Sequence, residues 1–223
     1  MYHPFSYPQI FYTVVFLAPI ISFIFAFSKA SLSFKDFIYL YPSIFNIITI
    51  SRRIFRFGIY FFSISFIIAA NDFYKFSNNI LQKNPLKKSS FYSFLLKLQA
   101  SSAYLAVTGS LGFVTYPENN TVFFHFVMEI FFFINILVFL VLYDVIVKWI
   151  KEESFLNIYL YDALMVFVVS SFIIIRVSII RNEDEPFLIL SVNEYLSFFT
   201  CLLKFPICGW EMQKIRKNVY KIE

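Results

Sequence analysis

The stretch from Val122 to Val147 reads VFFHFVMEIFFFINILVFLVLYDVIV, and it decides the fold class of this chain. Apolar side chains fill almost all of it. An α-helix needs about 20 such residues to cross the hydrocarbon core of a bilayer. Lipid cannot satisfy open backbone groups, so a segment that spans it is expected to be helical. The stretch therefore predicts a transmembrane helix.

Composition extends that prediction to the whole chain. Of the 223 residues, 59% are hydrophobic and only 15% are charged, and the mean hydropathy is +0.70. A soluble domain of this length has too small an interior to hide so much apolar surface. We therefore predict an all-α, polytopic membrane protein.

Six segments are long and apolar enough, or nearly so, to form spans. We expect them to pack as a six-helix transmembrane bundle in a single domain over residues 1–223. The N-terminus before the first segment has no Lys or Arg, unlike a secretory signal peptide, so this segment is expected to be retained. The predicted spans cover about residues 10–28, 54–70, 91–115, 122–147, 155–175 and 188–209.

Positive charge between the spans predicts their orientation. Six crossings place both termini on one side of the membrane. If that side is the cytosol, residues 71–90, 148–154 and the tail carry about ten Lys and Arg, against about six on the other side. Because cytosolic loops are enriched in these residues, both termini are expected in the cytosol. The net charge of +5 has the same explanation, and no nucleic-acid partner is predicted.

Two ionisable residues of the fourth predicted span lie one helical turn apart. His125 and Glu129 share a helix face, because their spacing is i and i+4. One interpretation is a general acid–base pair or half of a metal site; the other is a hydrogen-bonded pair that joins two helices. No second His or Cys cluster completes a zinc site. Structural pairing is therefore favoured, and no metal or cofactor is predicted.

Charged residues mark the predicted lumenal ends of three spans. Arg52 and Arg56 open the second span and Arg176 ends the fifth. Glu194 opens the sixth, and we expect it to pair with one of these arginines. Arginines near a carboxylate at one leaflet favour a site for a phosphate-bearing lipid headgroup. The alternative is that these side chains only extend from helix ends to the interface.

Other charges within the predicted spans are expected near the cytosolic interface. Asp144 and Lys148 are at i and i+4 near the end of the fourth span, which favours an interfacial ion pair. Lys204 lies about 9 Å of helix from Trp210, so its long side chain is expected to extend to the interface.

Glycine and cysteine predict structure rather than chemistry. With four glycines in the chain, no phosphate-cradling loop or nucleophile turn is recognisable. Gly109 and Gly112 are expected to let two helices pack closely. Cys201 and Cys208 are seven residues apart on one predicted helix, too far for a disulfide, so free thiols are expected.

The segment from Tyr41 to Phe62 reads YPSIFNIITISRRIFRFGIYFF. It resembles a family signature in which a Leu-Pro-Ser loop precedes Gln-Arg and then Trp-Arg at a span entrance. Glu194-Tyr195 resembles that family's Glu-Tyr at the start of the last span, and Trp210-Glu211 resembles its closing Trp-Asp. The chain is thus similar to the GPI-anchor lipid-remodelling factors, the family of post-GPI attachment to proteins factor 2. That family belongs to a six-span superfamily that includes DRAM-type proteins.

The resemblance implies a Golgi or ER membrane protein that acts after GPI anchors are attached to proteins. It implies a role in replacing an unsaturated acyl chain of the anchor by a saturated one, with membrane lipid and GPI-anchored proteins as partners. The family's Asn and Phe-His in the last span are replaced here by Cys201, Lys204 and Phe205, so the resemblance is to a divergent member. Whether such a protein transfers the acyl group or presents the lipid stays open, since no catalytic motif is recognisable.

Two other classes also stay open. One is a DRAM-type membrane regulator without lipid chemistry, and the other is a small channel, transporter or receptor. Transporters more often have Gly- or Pro-broken helices at mid-membrane, and such breaks are scarce in this sequence.

Overall fold

A computed structural model of the chain describes residues 7–29, 52–83, 90–115, 118–151, 159–181 and 187–219, without some side chains near the helix ends. All of these residues are α-helical, which confirms the all-α class for the described part of the chain. The helices are α1 (Tyr7–Lys29), α2 (Arg52–Lys83), α3 (Ser90–Thr115), α4 (Glu118–Lys151), α5 (Tyr159–Arg181) and α6 (Phe187–Val219).

Helices α2 and α6 are longer than the sequence predicts. The predicted polar loop over 71–90 is wrong in its first part, because α2 continues to Lys83. Phe73, Phe76 and Leu81 recur on one side of this extension and are buried, so packing against the bundle stabilises it. Helix α6 likewise continues into the predicted basic tail, where its apolar face stays buried.

Successive helices run antiparallel, as the contacts between them establish. Ser63 and Ser110 hydroxyl oxygens are 3.2 Å apart, and the Tyr104 hydroxyl donates to the Asn71 side chain at 2.9 Å, so α3 runs back along α2. The contacts of α4 with α3 and α5, and of α6 with α1 and α5, show the same antiparallel arrangement. In each of these pairs, residue numbers rise along one helix as they fall along the other. Even-numbered helices therefore all point one way.

This alternation gives the bundle two chemically different ends. The arginine end, where α2, α4 and α6 begin, is defined by Arg52, Arg56, Arg176 and Glu194. The lysine end, where the same helices finish, is defined by Lys75, Lys97, Lys151 and Lys214. Both names are labels for position only, since Arg216 lies at the lysine end and α1 finishes with Lys29 at the arginine end.

Aromatic rings fill the centre of the bundle. The Phe66 ring of α2 lies edge-on to the Phe139 ring of α4 at 4.7 Å and to the Phe205 ring of α6 at 5.2 Å. Nearer the lysine end, the Phe73 and Tyr143 ring centres are 4.5 Å apart. Aromatic pairs of this kind contribute about 0.5–1.5 kcal/mol each beyond the area that they bury. A continuous aromatic layer thus joins α2, α4 and α6.

The outer surface of the bundle is apolar as well. Large apolar side chains are exposed on every helix, among them Phe25, Phe61, Leu105, Phe124, Phe167 and Leu203. Within the described ranges, two helical stretches are long and apolar enough to cross a membrane, Arg53–Gln82 and Phe123–Lys151. The described apolar stretches of α1 and α5 are shorter, Gln9–Phe25 and Tyr161–Ile175.

Candidate functional site

Four predicted site residues lie on helix segments at the arginine end. Arg52 and Arg56 are in the first two turns of α2, and Arg176 is near the end of α5. Glu194 is two turns into α6. The side chains of Arg52 and Arg176 lie outside the described residues. For these two residues, the structure therefore gives only the position of the backbone, which lies at the arginine end.

Arg56 is held by the last turn of α3. Its Nε donates to the Val114 carbonyl at 3.2 Å, and its Nη2 lies 3.5 Å from the Thr115 carbonyl. The last carbonyls of a helix have no partner within the helix, and basic side chains satisfy them. The described hydrogen bonds of Arg56 therefore go to α3. The pairing of Glu194 with one of the three arginines stays a prediction, because the side chains of Arg52 and Arg176 lie outside the described residues.

Glu194 is enclosed by the bundle, with 1% of the residue exposed. The ring of the adjacent Tyr195 lies edge-on to Phe23 of α1 at 5.8 Å and stacks on Phe199 at 6.4 Å. These ring contacts fix the first turns of α6 against α1. Glu194 is thus a buried acid beneath the arginine end rather than a group on its surface.

His125 and Glu129 lie inside the contact between α3 and α4. Both are buried, at 2% and 0% exposure, and the His125 ring is edge-on to Phe113 of α3 at 6.2 Å. Within the described ranges, no three His, Cys, Asp or Glu side chains lie close enough to hold a metal ion. This enclosed position favours the interpretation of the pair as a structural link between helices.

The most charged interior feature is a cluster that the sequence analysis missed. The Lys204 Nζ of α6 pairs with Asp144 of α4, and it lies 3.3 Å from Asp162 Oδ1 of α5. Lys204 is 4% exposed, so the predicted extension of its side chain to the interface is wrong. The described ion pair of Asp144 is with Lys204, and its predicted pair with Lys148 stays a prediction.

Two tyrosines position the Lys204 face of α6. The Tyr161 hydroxyl donates to the Thr200 carbonyl and the Tyr143 hydroxyl donates to the Cys208 carbonyl, both at 2.7 Å. Thr200, Lys204 and Cys208 are spaced at i, i+4 and i+8, so they lie on one face of α6. The tyrosines of α5 and α4 bond to the first and the last of these residues, which are two turns apart. Both acceptors are backbone carbonyls, so the side chains at these positions gave no sequence signal for the cluster beyond the lysine itself.

Two further ion pairs fasten α6 at the lysine end. Arg216 pairs with Asp72 of α2, and its guanidinium lies 4.9 Å from the centre of the Phe76 ring. Lys151 of α4 lies 3.4 Å from Glu211. Both pairs are partly exposed, so each contributes less than an enclosed pair does.

Cys201 and Cys208 are free thiols, as predicted, and both are buried.

No family model, curated protein or solved structure matches the chain.

Proposed function

We propose that the chain is a six-span integral membrane protein of the Golgi or ER that supports acyl-chain remodelling of the GPI lipid after the anchor is attached to protein. Both termini lie in the cytosol in this proposal, so the arginine end faces the lumen. The observation that supports it is that the family-like segments of α2 and α6, which are distant in sequence, begin at the same end of the bundle, where α5 ends with Arg176 in its last turns.

The dimensions of the helices support six spans. The shortest helices, α1 and α5, have 23 residues each and are about 34 Å long at 1.5 Å per residue, against about 30 Å of hydrocarbon core. Every helix also exposes large apolar side chains to the outside. Soluble monomers rarely expose contiguous apolar patches larger than a few hundred Å², so lipid is the solvent that suits this surface.

The arginine end suits the phosphate of a lipid headgroup. Guanidinium groups bind phosphate through two parallel hydrogen bonds, and basic pockets between helices bind lipid headgroups. We assign Arg52 and Arg176 as the phosphate-binding groups, since Arg56 already bonds to α3. Arg56 contributes by joining the start of α2 to the end of α3.

A rescue assay tests this function. The chain is expressed in cells that lack their own remodelling factor, and two readouts are recorded: surface retention of GPI-anchored proteins and the acyl chains on their anchors by mass spectrometry. We expect the chain to restore both. Stable expression in the Golgi with neither readout restored contradicts lipid remodelling and favours the regulator class.

A matched pair of variants tests the arginine end itself. Arg176→Gln removes one charge at the arginine end, and Lys97→Gln removes one exposed charge at the lysine end. At equal protein abundance, we expect Arg176→Gln to lower the saturated fraction of the anchors at least about tenfold, the effect of losing about 1.4 kcal/mol. Lys97→Gln is expected to behave as wild type. Equal effects of the two variants contradict a headgroup site at the arginine end.

A further inference from the structure

Two carboxyl groups converge on one ammonium group inside the bundle. Asp144 and Asp162 both lie against Lys204 Nζ, and the side chains of Lys204 and Asp144 are only 5% and 3% exposed. With all three groups ionised, the cluster has a net charge of −1. Enclosed charges that lack compensation cost several kcal/mol each, so a compensating positive charge is expected nearby.

One carboxyl oxygen of the cluster is left without a hydrogen bond. Asp144 Oδ2 accepts from Lys204, whereas Asp144 Oδ1 is buried and accepts from no group. A carboxylate in an apolar interior is stabilised only when its oxygens are well matched with donors. This oxygen is therefore the natural place for a bound cation or proton.

The neighbouring titratable groups supply no further donor to that oxygen. The hydroxyls of Tyr143 and Tyr161 donate to carbonyls of α6. The thiols of Cys201 and Cys208 are free and buried. Lys148 lies one helical turn from Asp144 on α4 and is itself buried, so among the described residues its charge is the one that competes with a bound proton.

We propose that the cluster of Asp144, Asp162 and Lys204 is a proton-binding site. One proton, taken from water, is held between the two carboxyl groups in addition to the charge on Lys204, which makes the cluster neutral. Asp162, with its side chain 14% exposed, is the member that gives access to water. The packing of α4, α5 and α6 thereby depends on proton binding. Proton binding here depends only on the enclosed contacts of the cluster and does not require that the protein remodel GPI lipid.

Thermal unfolding of purified variants in detergent separates proton binding from compensation by Lys148. Asp162→Asn leaves a neutral Lys204–Asp144 pair, so we expect its melting temperature within about 2 °C of wild type. Lys204→Met leaves buried negative charge without its partner and should lower the melting temperature by about 6–20 °C. If Lys148 compensates the cluster instead, Asp162→Asn and Lys148→Gln will both lower it by several degrees, which overturns the proposal.

Infrared spectroscopy observes the proton directly. The wild type should show a C=O stretch of a protonated carboxyl group, shifted in heavy water, that is missing from the spectra of both Asp144→Asn and Asp162→Asn, whereas any band of the buried Glu129 and Glu194 is common to all three proteins. Asp72→Asn is the matched control, because Asp72 has its own single partner in Arg216. A wild type without the band, or a band that survives both cluster variants, overturns the proposal. If the band is missing and the melting temperature rises with sodium concentration, the compensating charge is a metal cation and not a proton.

Discussion

Gly109 lies where the backbones of α3 and α4 touch, and its replacement by alanine measures how much the bundle depends on that approach. The new Cβ would lie 2.7 Å from the Phe132 nitrogen and 2.9 Å from the Phe132 Cα, closer than real Cβ contacts come. Both atoms belong to the backbone, so the helices themselves must separate. Overpacking costs up to about 3 kcal/mol, and the better helix propensity of alanine returns up to about 1 kcal/mol. We expect a net loss of about 2 kcal/mol, or about 4–8 °C in melting temperature.

Gly112 provides the matched control on the same helix. An added Cβ there would meet Met128 Cγ at 2.6 Å and Sδ at 2.7 Å, the flexible part of a side chain that can change rotamer. Gly112→Ala is therefore expected to melt within about 2 °C of wild type. Tryptophan fluorescence in detergent is the assay, since Trp149 of α4 stacks on Tyr92 of α3 at 4.0 Å and reports on the same helix pair. If Gly109→Ala and Gly112→Ala melt together, the backbone-contact reasoning is refuted.

Three smaller perturbations test other contacts. Tyr143→Phe should lower the free energy of unfolding by about 1 kcal/mol, because the buried hydroxyl loses its 2.7 Å bond to a carbonyl of α6; an unchanged unfolding curve contradicts this. Lys151→Met should cost less than about 1 kcal/mol, since the pair with Glu211 is partly exposed, and added salt should shrink the difference from wild type. Arg56→Gln should speed amide hydrogen exchange in the last turn of α3 and not in its first turn, and uniform exchange along α3 would rule out the capping role.

The sequence located the helices better than it located their ends. Long apolar runs identified each described helix, because a continuous hydrophobic surface is visible in one segment alone. The extension of α2 was missed, since Asn71, Asp72 and Lys75 lower the local hydropathy there. Its stability comes from the other side of the helix, where Phe73 and Phe76 are buried against the bundle. A polar stripe of this kind is interpreted correctly only when the neighbouring helices are known.

The charged interior was harder to predict than the arginine end. Positions at helix ends follow directly from span order, so the common end of Arg176 and Glu194 could be anticipated. The partners of Lys204 could not, because they depend on the register of three helices that are distant in sequence. Within its own segment, Lys204 has apolar neighbours and a nearby interface, which favoured extension of the side chain. Asp144 and Asp162 supply the alternative, and an enclosed ion pair is the outcome.

In the proposed resemblance, Phe205 stands at the position of the family's histidine, and its surroundings decide whether a histidine is tolerated there. The residue is 0% exposed, and its ring contacts the rings of Phe62, Phe66 and Phe139. A histidine here would bury ring nitrogens among aromatic side chains that offer no hydrogen-bond acceptor, at a cost of about 2–4 kcal/mol. Phe205→His is therefore expected to lower the melting temperature by about 4–16 °C and to leave lipid remodelling in the rescue assay no better than wild type. Phe205→Leu, which keeps the site apolar, should lose less. Higher remodelling by Phe205→His at equal abundance would contradict this reasoning and show that α6 accepts a polar group at this position.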